Sequence, residues 1–99
     1  MKFDDKGLIP CIIQDETSKK VLMLGYANEE AVRLTKETKI VHFWSRSRKK
    51  LWKKGGTSGK ILHVKEIFLD CDEDAILIMV ETFWPTCHTE KQSCFDQRV

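Results

Sequence analysis

The fold of this chain is organised around an acidic segment that joins two apolar runs and reads Asp70-Cys71-Asp72-Glu73-Asp74. The runs, Ile61 to Leu69 and Ala75 to Val80, have the length and the Ile, Leu and Val content of β-strands. If the segment between them stays extended, the three aspartates share one face and Cys71 lies on the other. Carboxylate oxygens suit Mg²⁺, Mn²⁺ or Ca²⁺, and thiolates suit Zn²⁺. The segment is therefore a candidate for two kinds of metal site.

Two other interpretations of these aspartates remain open. Clustered aspartates between two strands are common in solvated turns. A helix-loop-helix calcium site also begins Asp-x-Asp-x-Asp, and Glu81 falls at its last ligand position. However, Ala75 replaces the glycine that such a loop needs midway, and the run that follows it indicates a strand. The calcium interpretation therefore fits the sequence less well than the solvated turn.

The length of the chain, 99 residues, predicts a single domain spanning residues 1–99. A core this small favours oligomerisation or a structural metal as additional stabilisation. The formal net charge of +2 does not require nucleic acid as a partner. No apolar run approaches the roughly 20 residues that cross a membrane, and residues 1–8 lack the apolar core of a signal peptide. We therefore expect a cytoplasmic protein with no membrane partner, whose thiols stay reduced.

The remaining runs predict one helix among several strands. Asn28 is a favourable N-cap, and two glutamates and an apolar stripe at helical spacing follow it, which predicts a helix over residues 28–38. The alternation of the run 61–69 slips around Lys65 and Glu66, which indicates a β-bulge. Further strands are predicted at residues 8–14, 21–24 and 40–44. This pattern favours a mainly β, α+β fold, in which a curled antiparallel sheet is capped by the single helix.

The four cysteines fall into two groups. Cys11 lies inside an apolar strand and is interpreted as a small buried hydrophobic residue. Cys71 lies in the acidic segment, and Cys87 and Cys94 bracket a polar run. If these three thiolates bind one zinc ion, the tetrahedral ion keeps an open position, as catalytic zinc sites do. Two alternatives remain: His88 is a fourth ligand that closes a structural site, or the thiols are simply unpaired.

Residues 45–60 are polar and basic, and they predict an exposed loop rather than core. Together with Trp44, this region alternates guanidinium, ammonium and indole groups with glycines. Arginine forks and glycine amides suit phosphate oxygens, and tryptophan faces suit a purine ring. The pattern favours a doubly phosphorylated nucleotide as ligand. Two alternatives remain: the loop binds nucleic acid without sequence specificity, or it is solvated and binds nothing.

An alternative function from a different class is a non-enzymatic zinc module that binds nucleic acid through the loop from Arg46 to Lys54. This module predicts a closed zinc site and an affinity for nucleic acid that falls steeply with salt. The aspartates argue against it, because they repel phosphates unless a cation is bound. We therefore expect no nucleic-acid partner.

Several short segments, distributed over nearly the whole chain, together match the pattern of a known family. They are Gly7-Leu8-Ile9-Pro10, Val21-Leu22-Met23-Leu24-Gly25-Tyr26, Phe43-Trp44-Ser45-Arg46-Ser47-Arg48, Leu51-Trp52, Lys54-Gly55, Thr57-Ser58-Gly59, Leu69-Asp70-Cys71-Asp72, Asp74, Cys87-His88-Thr89 and Ser93-Cys94-Phe95. In this order, the set resembles the phosphoribosyl-AMP cyclohydrolase family of histidine biosynthesis. No single common motif carries the resemblance.

The resemblance implies a pseudo-barrel capped by one helix and assembled as an obligate homodimer. It also implies two metal cofactors, Zn²⁺ and Mg²⁺, with the zinc site shared between subunits. The implied zinc ligands are Cys71 of one chain with Cys87 and Cys94 of the other. The implied magnesium ligands are Asp70, Asp72 and Asp74.

The implied reaction is hydrolytic opening of the purine ring of 1-(5-phosphoribosyl)-AMP. Water activated by zinc adds to C6, the N1–C6 bond breaks, and a formimino carboxamide ribonucleotide is formed. His88 is the candidate proton carrier, because it is adjacent to a ligand and imidazole titrates near neutrality. The candidates for binding the two phosphates are Arg46, Arg48, Lys54, Thr57 and Ser58. The candidate for stacking on the base is Trp44 or Trp52.

Overall fold

The computed structural model describes residues 1–56, 59–82 and 92–99, and this part of the chain contains six strands and one helix. The elements in chain order are β1 Ile9–Asp15, β2 Val21–Ala27, α1 Glu29–Thr38, β3 His42–Ser45, β4 Lys50–Lys53, β5 His63–Leu69 and β6 Ile76–Glu81. The predicted mainly β fold with a single helix is therefore confirmed over the described residues.

Four strands form one sheet in the order β2-β1-β6-β5, and β3 pairs with β4 in a separate hairpin. β1 and β2 are antiparallel, as are β5 and β6, but β1 and β6 are parallel. The prediction of an antiparallel sheet is therefore wrong at this one pair. The hairpin of β5 and β6 is a local structure, and its more buried strand lies against β1. Nothing in the local sequence fixes the direction of that contact.

The two outer strands of this sheet, β2 and β5, are not paired with each other in the described part of the chain. The sheet is therefore open there, and the implied pseudo-barrel is not closed. Closure of a barrel requires hydrogen bonds between the first and last strands. Instead, carbonyl groups at the start of β2 accept hydrogen bonds from residues 93 and 94. The C-terminal segment thus occupies part of the edge that a closing strand would use.

The core is formed by the sheet together with α1 and β3. Its largest fully buried side chains include Phe43, Ile9, Ile13 and Leu22. Burying a side chain of this size stabilises the fold by about 1.5–3 kcal/mol. Cys11 belongs to the same cluster, which confirms its interpretation as a buried hydrophobic residue.

The helix begins and ends where the sequence predicts. The Oδ1 of Asn28 accepts a hydrogen bond from the Ala31 N–H at 2.9 Å, which confirms the predicted N-cap. Thr35 Oγ1 accepts a hydrogen bond from the His42 N–H at 2.9 Å, so that the helix is attached to the start of β3. With ten residues, the helix is too short to cross a membrane, and no other helix occurs in the described residues.

Two strand features differ in how well the sequence predicts them. The register between β5 and β6 shifts between Val64 and Glu66, which confirms the predicted β-bulge. The prediction of a loop over residues 45–60 is wrong in part, because β4 lies within it and pairs with β3. All four residues of β4 are exposed, so the apolar alternation that marks a half-buried strand is missing.

Candidate functional site

Asp70 begins a tight turn that connects β5 to β6. Its N–H donates to the Ala75 carbonyl at 3.0 Å, and its carbonyl accepts from the Glu73 N–H at 3.0 Å. Its Oδ1 accepts hydrogen bonds from the N–H groups of Asp74 at 2.9 Å and Ala75 at 3.3 Å. Glu73 has a left-handed φ of 63°. The segment is therefore a turn and not an extended strand, so the expectation that alternation places three aspartates on one face is wrong.

The carboxyl groups of Asp70 and Asp74 interact within this turn. A side-chain hydrogen bond with Asp70, and its negative charge, raise the pKa of Asp74 above the usual value. Desolvation acts to raise the pKa of Asp70, but hydrogen bonds from Asp74, Ala75 and Glu73 outweigh it and hold that pKa below its usual value. Two neighbouring carboxyl groups concentrate negative charge, which a divalent cation stabilises.

Asp72 does not complete a metal site with these two groups in a single chain. Within residues 1–56, 59–82 and 92–99, no three His, Cys, Asp or Glu side chains are placed to hold a metal ion. The Cys71 thiol instead donates a weak hydrogen bond to Asp72 Oδ1 at 3.9 Å, and both residues are exposed. A full ligand set therefore needs groups from residues 83–91, from a second chain, or from water and substrate.

Cys94 is held beside β2 by hydrogen bonds from its own backbone and from the side chain of Ser93. Ser93 is only 3% exposed, and its Oγ donates to the Val21 carbonyl at 2.6 Å. The Cys94 N–H donates to the Leu22 carbonyl at 2.7 Å, while the Cys94 residue itself is exposed. The buried hydroxyl fixes the backbone, so the exposed thiol has a defined position at the start of β2.

Cys71 and Cys94 lie at opposite ends of the sheet in one chain. Cys71 precedes β6, whose first residue pairs with Cys11 near the start of β1, whereas the start of β2 pairs with Gln14 near the end of β1. The two cysteines also neighbour opposite edge strands, which are separated by roughly 14 Å at the usual strand spacing. Two thiolates on one zinc ion lie within about 4 Å of each other. The two thiols of one chain are therefore not placed to share an ion.

Four of the predicted site residues lie outside the described residues: Cys87, His88, Thr57 and Ser58. Their roles remain predictions from the sequence.

A groove of about 770 Å³ lies between β2 and the β3–β4 hairpin. Three of the predicted substrate-binding residues line it: Trp44, Arg46 and Trp52. Arg48 and Lys54 are on or beside the hairpin but outside the groove lining, and Lys54 Nζ lies 5.6 Å from the ring centroid of Trp52. The structure thus brings both tryptophans and one arginine to a single open groove.

Two further residues of this groove, Tyr26 and Lys6, are absent from the predicted set. Tyr26 lies on β2, and the Cζ of Arg46 is 3.9 Å from its ring centroid. Lys6 belongs to the turn before β1, which Asp4 Oδ1 stabilises by accepting hydrogen bonds from the N–H groups of Lys6 and Leu8. Both residues reach the groove through tertiary structure, so the local basic and aromatic pattern of residues 44–54 contains no signal for them.

Gly25 determines how closely the hairpin approaches β2. A Cβ on Gly25 would lie 2.6 Å from Cε1 of Phe43, so any larger residue at this position requires the Phe43 ring or the β2 backbone to move. Phe43 is 1% exposed, and its ring centroid lies 5.4 Å from that of Trp52. The aromatic residues of the hairpin are therefore fixed relative to β2.

A second groove, of about 820 Å³, lies between residues 1–3 and α1. Its charged residues include Arg33, which forms ion pairs with Glu30 and with Glu37 on the same helix. None of the predicted site residues lines this groove, so the groove beside the hairpin is the candidate site.

The family model and the similar proteins found by comparison agree with one another. A family model described as phosphoribosyl-AMP cyclohydrolase matches residues 23–96. A phosphoribosyl-AMP cyclohydrolase of Archaeoglobus fulgidus is 59% identical over 99 residues, covering 100% of this chain and 92% of that protein. One from Methanospirillum hungatei JF-1 is 56% identical over 99 residues, covering 100% of this chain and 76% of that protein. A histidine biosynthesis bifunctional protein of Caldanaerobacter subterraneus subsp. tengcongensis is 59% identical over 95 residues, which cover 96% of this chain and 46% of that protein.

Proposed function

The chain belongs to the phosphoribosyl-AMP cyclohydrolase family, and on this premise we propose that it hydrolyses phosphoribosyl-AMP as a step of histidine biosynthesis. The observation that carries the proposal is similarity over the whole chain, at 59% identity to one cyclohydrolase and 56% to another. The helix and five of the six described strands contribute buried residues to one hydrophobic core, which supports a single domain over residues 1–99.

The groove beside the hairpin supplies groups that suit this substrate. Phosphoribosyl-AMP contains a purine ring and two phosphates. Trp44 and Trp52 offer aromatic faces for the base, and Arg46 offers a guanidinium for a phosphate. The further phosphate ligands proposed from the sequence are Arg48, Lys54, Thr57 and Ser58. The groove is open, as access for a nucleotide requires.

We propose that Cys71, Cys87 and Cys94 hold a zinc ion, which when bound would supply a water of lowered pKa for hydrolysis at neutral pH. The donor set fits this metal, because thiolates are ligands that zinc prefers. Cys71 and Cys94 are both exposed, and the backbone of Cys94 is anchored to β2. Three protein ligands leave one position for water, as in catalytic zinc sites.

The positions of the thiols support a site shared by two copies of the chain. Because Cys71 and Cys94 lie at opposite ends of the sheet, we propose that Cys71 of one copy joins Cys87 and Cys94 of the other. Exposed apolar side chains lie close to Cys94: Val21 and Leu24 on β2, and Phe95. A homodimer that covers them explains why so small a chain leaves this apolar surface exposed.

Of the magnesium ligands predicted from the sequence, Asp70, Asp72 and Asp74, we propose that Asp70 and Asp74 bind the ion directly, because their carboxyl groups interact, and that Asp72 reaches it through water or from a second copy. The interaction between Asp70 and Asp74 supports this assignment: a side-chain hydrogen bond and the negative charge of Asp70 raise the pKa of Asp74, and a bound dication offsets that charge. Mg²⁺ keeps several waters and takes few protein ligands, so the remaining positions suit water or a substrate phosphate.

In the proposed reaction a water oxygen bonds to C6 of the purine and the N1–C6 bond breaks. N1 takes up a proton, and C6 with its amino group becomes a carboxamide. We propose that His88 carries the proton from the water towards N1, because a neutral imidazole accepts it and the imidazolium returns it. Trp44 or Trp52 stacks on the purine while Arg46 binds a phosphate.

Ultraviolet absorbance tests this function, because opening the six-membered ring changes the chromophore. Protein loaded with zinc and magnesium should change the absorbance of phosphoribosyl-AMP and leave that of AMP, which lacks the N1 substituent, unchanged. A chelator should stop the reaction and added metals should restore it. A constant absorbance with folded, metal-loaded protein would contradict the proposal.

A further inference from the structure

The guanidinium of Arg46 lies over the ring of Tyr26, with Cζ 3.9 Å from the ring centroid. Arg46 is on the turn of the β3–β4 hairpin, and Tyr26 is on β2, so the contact spans the groove that both residues line. At this distance the cation is attracted by the negative face of the ring.

The attachment of the hairpin to β2 does not depend on this contact. The hairpin is fixed by Phe43, which is buried and packs directly against Gly25. The start of β3 is also held from outside the hairpin, because the His42 N–H donates to Thr35 Oγ1 on α1 at 2.9 Å. Arg46 is itself exposed on the turn. The stacking on Tyr26 therefore determines where the guanidinium lies rather than where the hairpin lies.

Stacking fixes the position of an arginine without using its hydrogen-bond donors. The N–H groups of a guanidinium lie in its plane, so a ring above that plane leaves them directed outwards. Among the described residues, no carboxylate is paired with Arg46, whereas Arg33 is paired with Glu30 and Glu37. No carboxylate of the described residues therefore offsets the charge of Arg46, and its planar guanidinium matches the geometry of phosphate oxygens.

We propose that Tyr26 is a positioning residue for substrate binding, whose ring orients the Arg46 guanidinium towards a phosphate of the nucleotide in this groove. The inference rests on the proposed function and identifies a residue for that same site. Lys6, which lines the groove from the turn before β1, adds a second positive charge to the groove. The groove then binds a phosphate of its ligand through directed hydrogen bonds from the Arg46 guanidinium, and not only through its positive charge.

The test compares Tyr26→Leu with Tyr26→Phe in steady-state turnover of phosphoribosyl-AMP. Tyr26→Leu should raise KM about fivefold, the size of a lost cation–π contact, with little change in kcat. Tyr26→Phe retains the ring and should recover most of the lost affinity. Arg33→Ala, which removes an exposed arginine from α1, is the matched control and should leave KM unchanged. An unchanged KM in Tyr26→Leu would overturn the proposal.

A double-mutant cycle separates this role from a general effect on folding. If Tyr26 acts through Arg46, Tyr26→Leu should raise KM in the wild-type background and have no further effect on Arg46→Ala. Equal effects in both backgrounds would show that the ring contacts the substrate itself or supports the fold, and would contradict the inference.

The inference and the proposed function fail in different ways. Turnover by the wild type together with an unchanged KM in Tyr26→Leu overturns the inference alone. If the wild type does not turn over phosphoribosyl-AMP, the proposed function fails, and titration of tryptophan fluorescence with AMP decides the inference. Weaker AMP binding by Tyr26→Leu than by wild type supports it, and equal binding, or none by either protein, contradicts it.

Discussion

Cys71 follows β5 at one end of the sheet, whereas Cys94 is hydrogen-bonded through its backbone to Leu22 at the other end. The width and the length of the sheet therefore separate the two thiols in one chain. If both bind the same zinc ion, the ion joins two chains. Zinc binding, dimerisation and activity then depend on one another, so a chelator that removes zinc should also weaken the dimer.

The proposed shared zinc site predicts that activity returns when two inactive variants are mixed. Cys71→Ser and Cys94→Ser should each lose zinc and turnover. In a mixed dimer, one of the two symmetric sites contains both serines and the other contains only cysteines. Equal amounts, after exchange of subunits, should give about a quarter of wild-type activity.

Zinc content and turnover are measured before and after mixing, and Cys94→Ser mixed with a second preparation of itself is the control. If subunit exchange is shown by mass-tagged chains and activity does not return, the zinc site lies within one chain.

Gly25→Ala should destabilise the fold, because the added methyl group would lie 2.6 Å from the ring of Phe43. We expect a loss of about 1–3 kcal/mol in the free energy of unfolding, which is typical of overpacking. Urea denaturation measures it. Adding Phe43→Leu should cost less in the Gly25→Ala background than in the wild type, because the smaller side chain relieves the contact. Strictly additive losses would show that the two residues do not meet.

Cys11 should resist thiol reagents in the native, metal-free protein, while Cys71 and Cys94 react. Burial raises the pKa of the Cys11 thiol to about 12, so almost no thiolate forms near neutrality. Below the ordinary thiol pKa of 9.0, Cys11 is neutral in the folded and the unfolded states and the stability of the fold is kept in full. As the pH rises from 9.0 towards about 12, the unfolded thiol ionises while the buried one does not, so the free energy of unfolding falls.

Peptide mass mapping after brief alkylation identifies the modified thiols, and urea-unfolded protein, in which all cysteines react, is the control. Early alkylation of Cys11 would show that the core opens in the native state.

Asp70→Asn should weaken magnesium binding without unfolding the turn. The asparagine retains an oxygen for the N–H groups of Asp74 and Ala75 but loses the negative charge. The magnesium concentration for half-maximal turnover should rise at least about tenfold, with zinc content unchanged. Asp70→Ala, which also loses the acceptor, should in addition lower the melting temperature. An unaltered magnesium requirement in Asp70→Asn would remove this carboxylate from the metal site.

The sequence predicts the parts of the fold that depend on neighbouring residues. The cap at Asn28 and the bulge near Glu66 are local patterns, and the structure contains both. The parallel contact of β1 with β6 is not predictable in this way, because residues far apart in the chain form it. The sequence does not predict the strand Lys50–Lys53, because it is exposed on both faces and is stabilised by its pairing with β3.

The candidate site shows the same division. Trp44, Arg46 and Trp52 lie within one basic, aromatic stretch, so their common groove follows from the sequence. Tyr26 and Lys6 join them only when β2 and the turn before β1 pack beside the hairpin. The assumption of an extended segment failed at Asp70, because its side chain accepts hydrogen bonds from the following amides and stabilises a turn.

We propose that the chain adds water across the N1–C6 bond of phosphoribosyl-AMP. The most direct test of this reaction is mass spectrometry of the product formed in water labelled with oxygen-18 by the zinc- and magnesium-loaded protein. We predict a single product, heavier than the substrate by one water, with the label in the carboxamide. Unchanged substrate, or a label on the ribose after release of AMP, would contradict hydrolysis at C6.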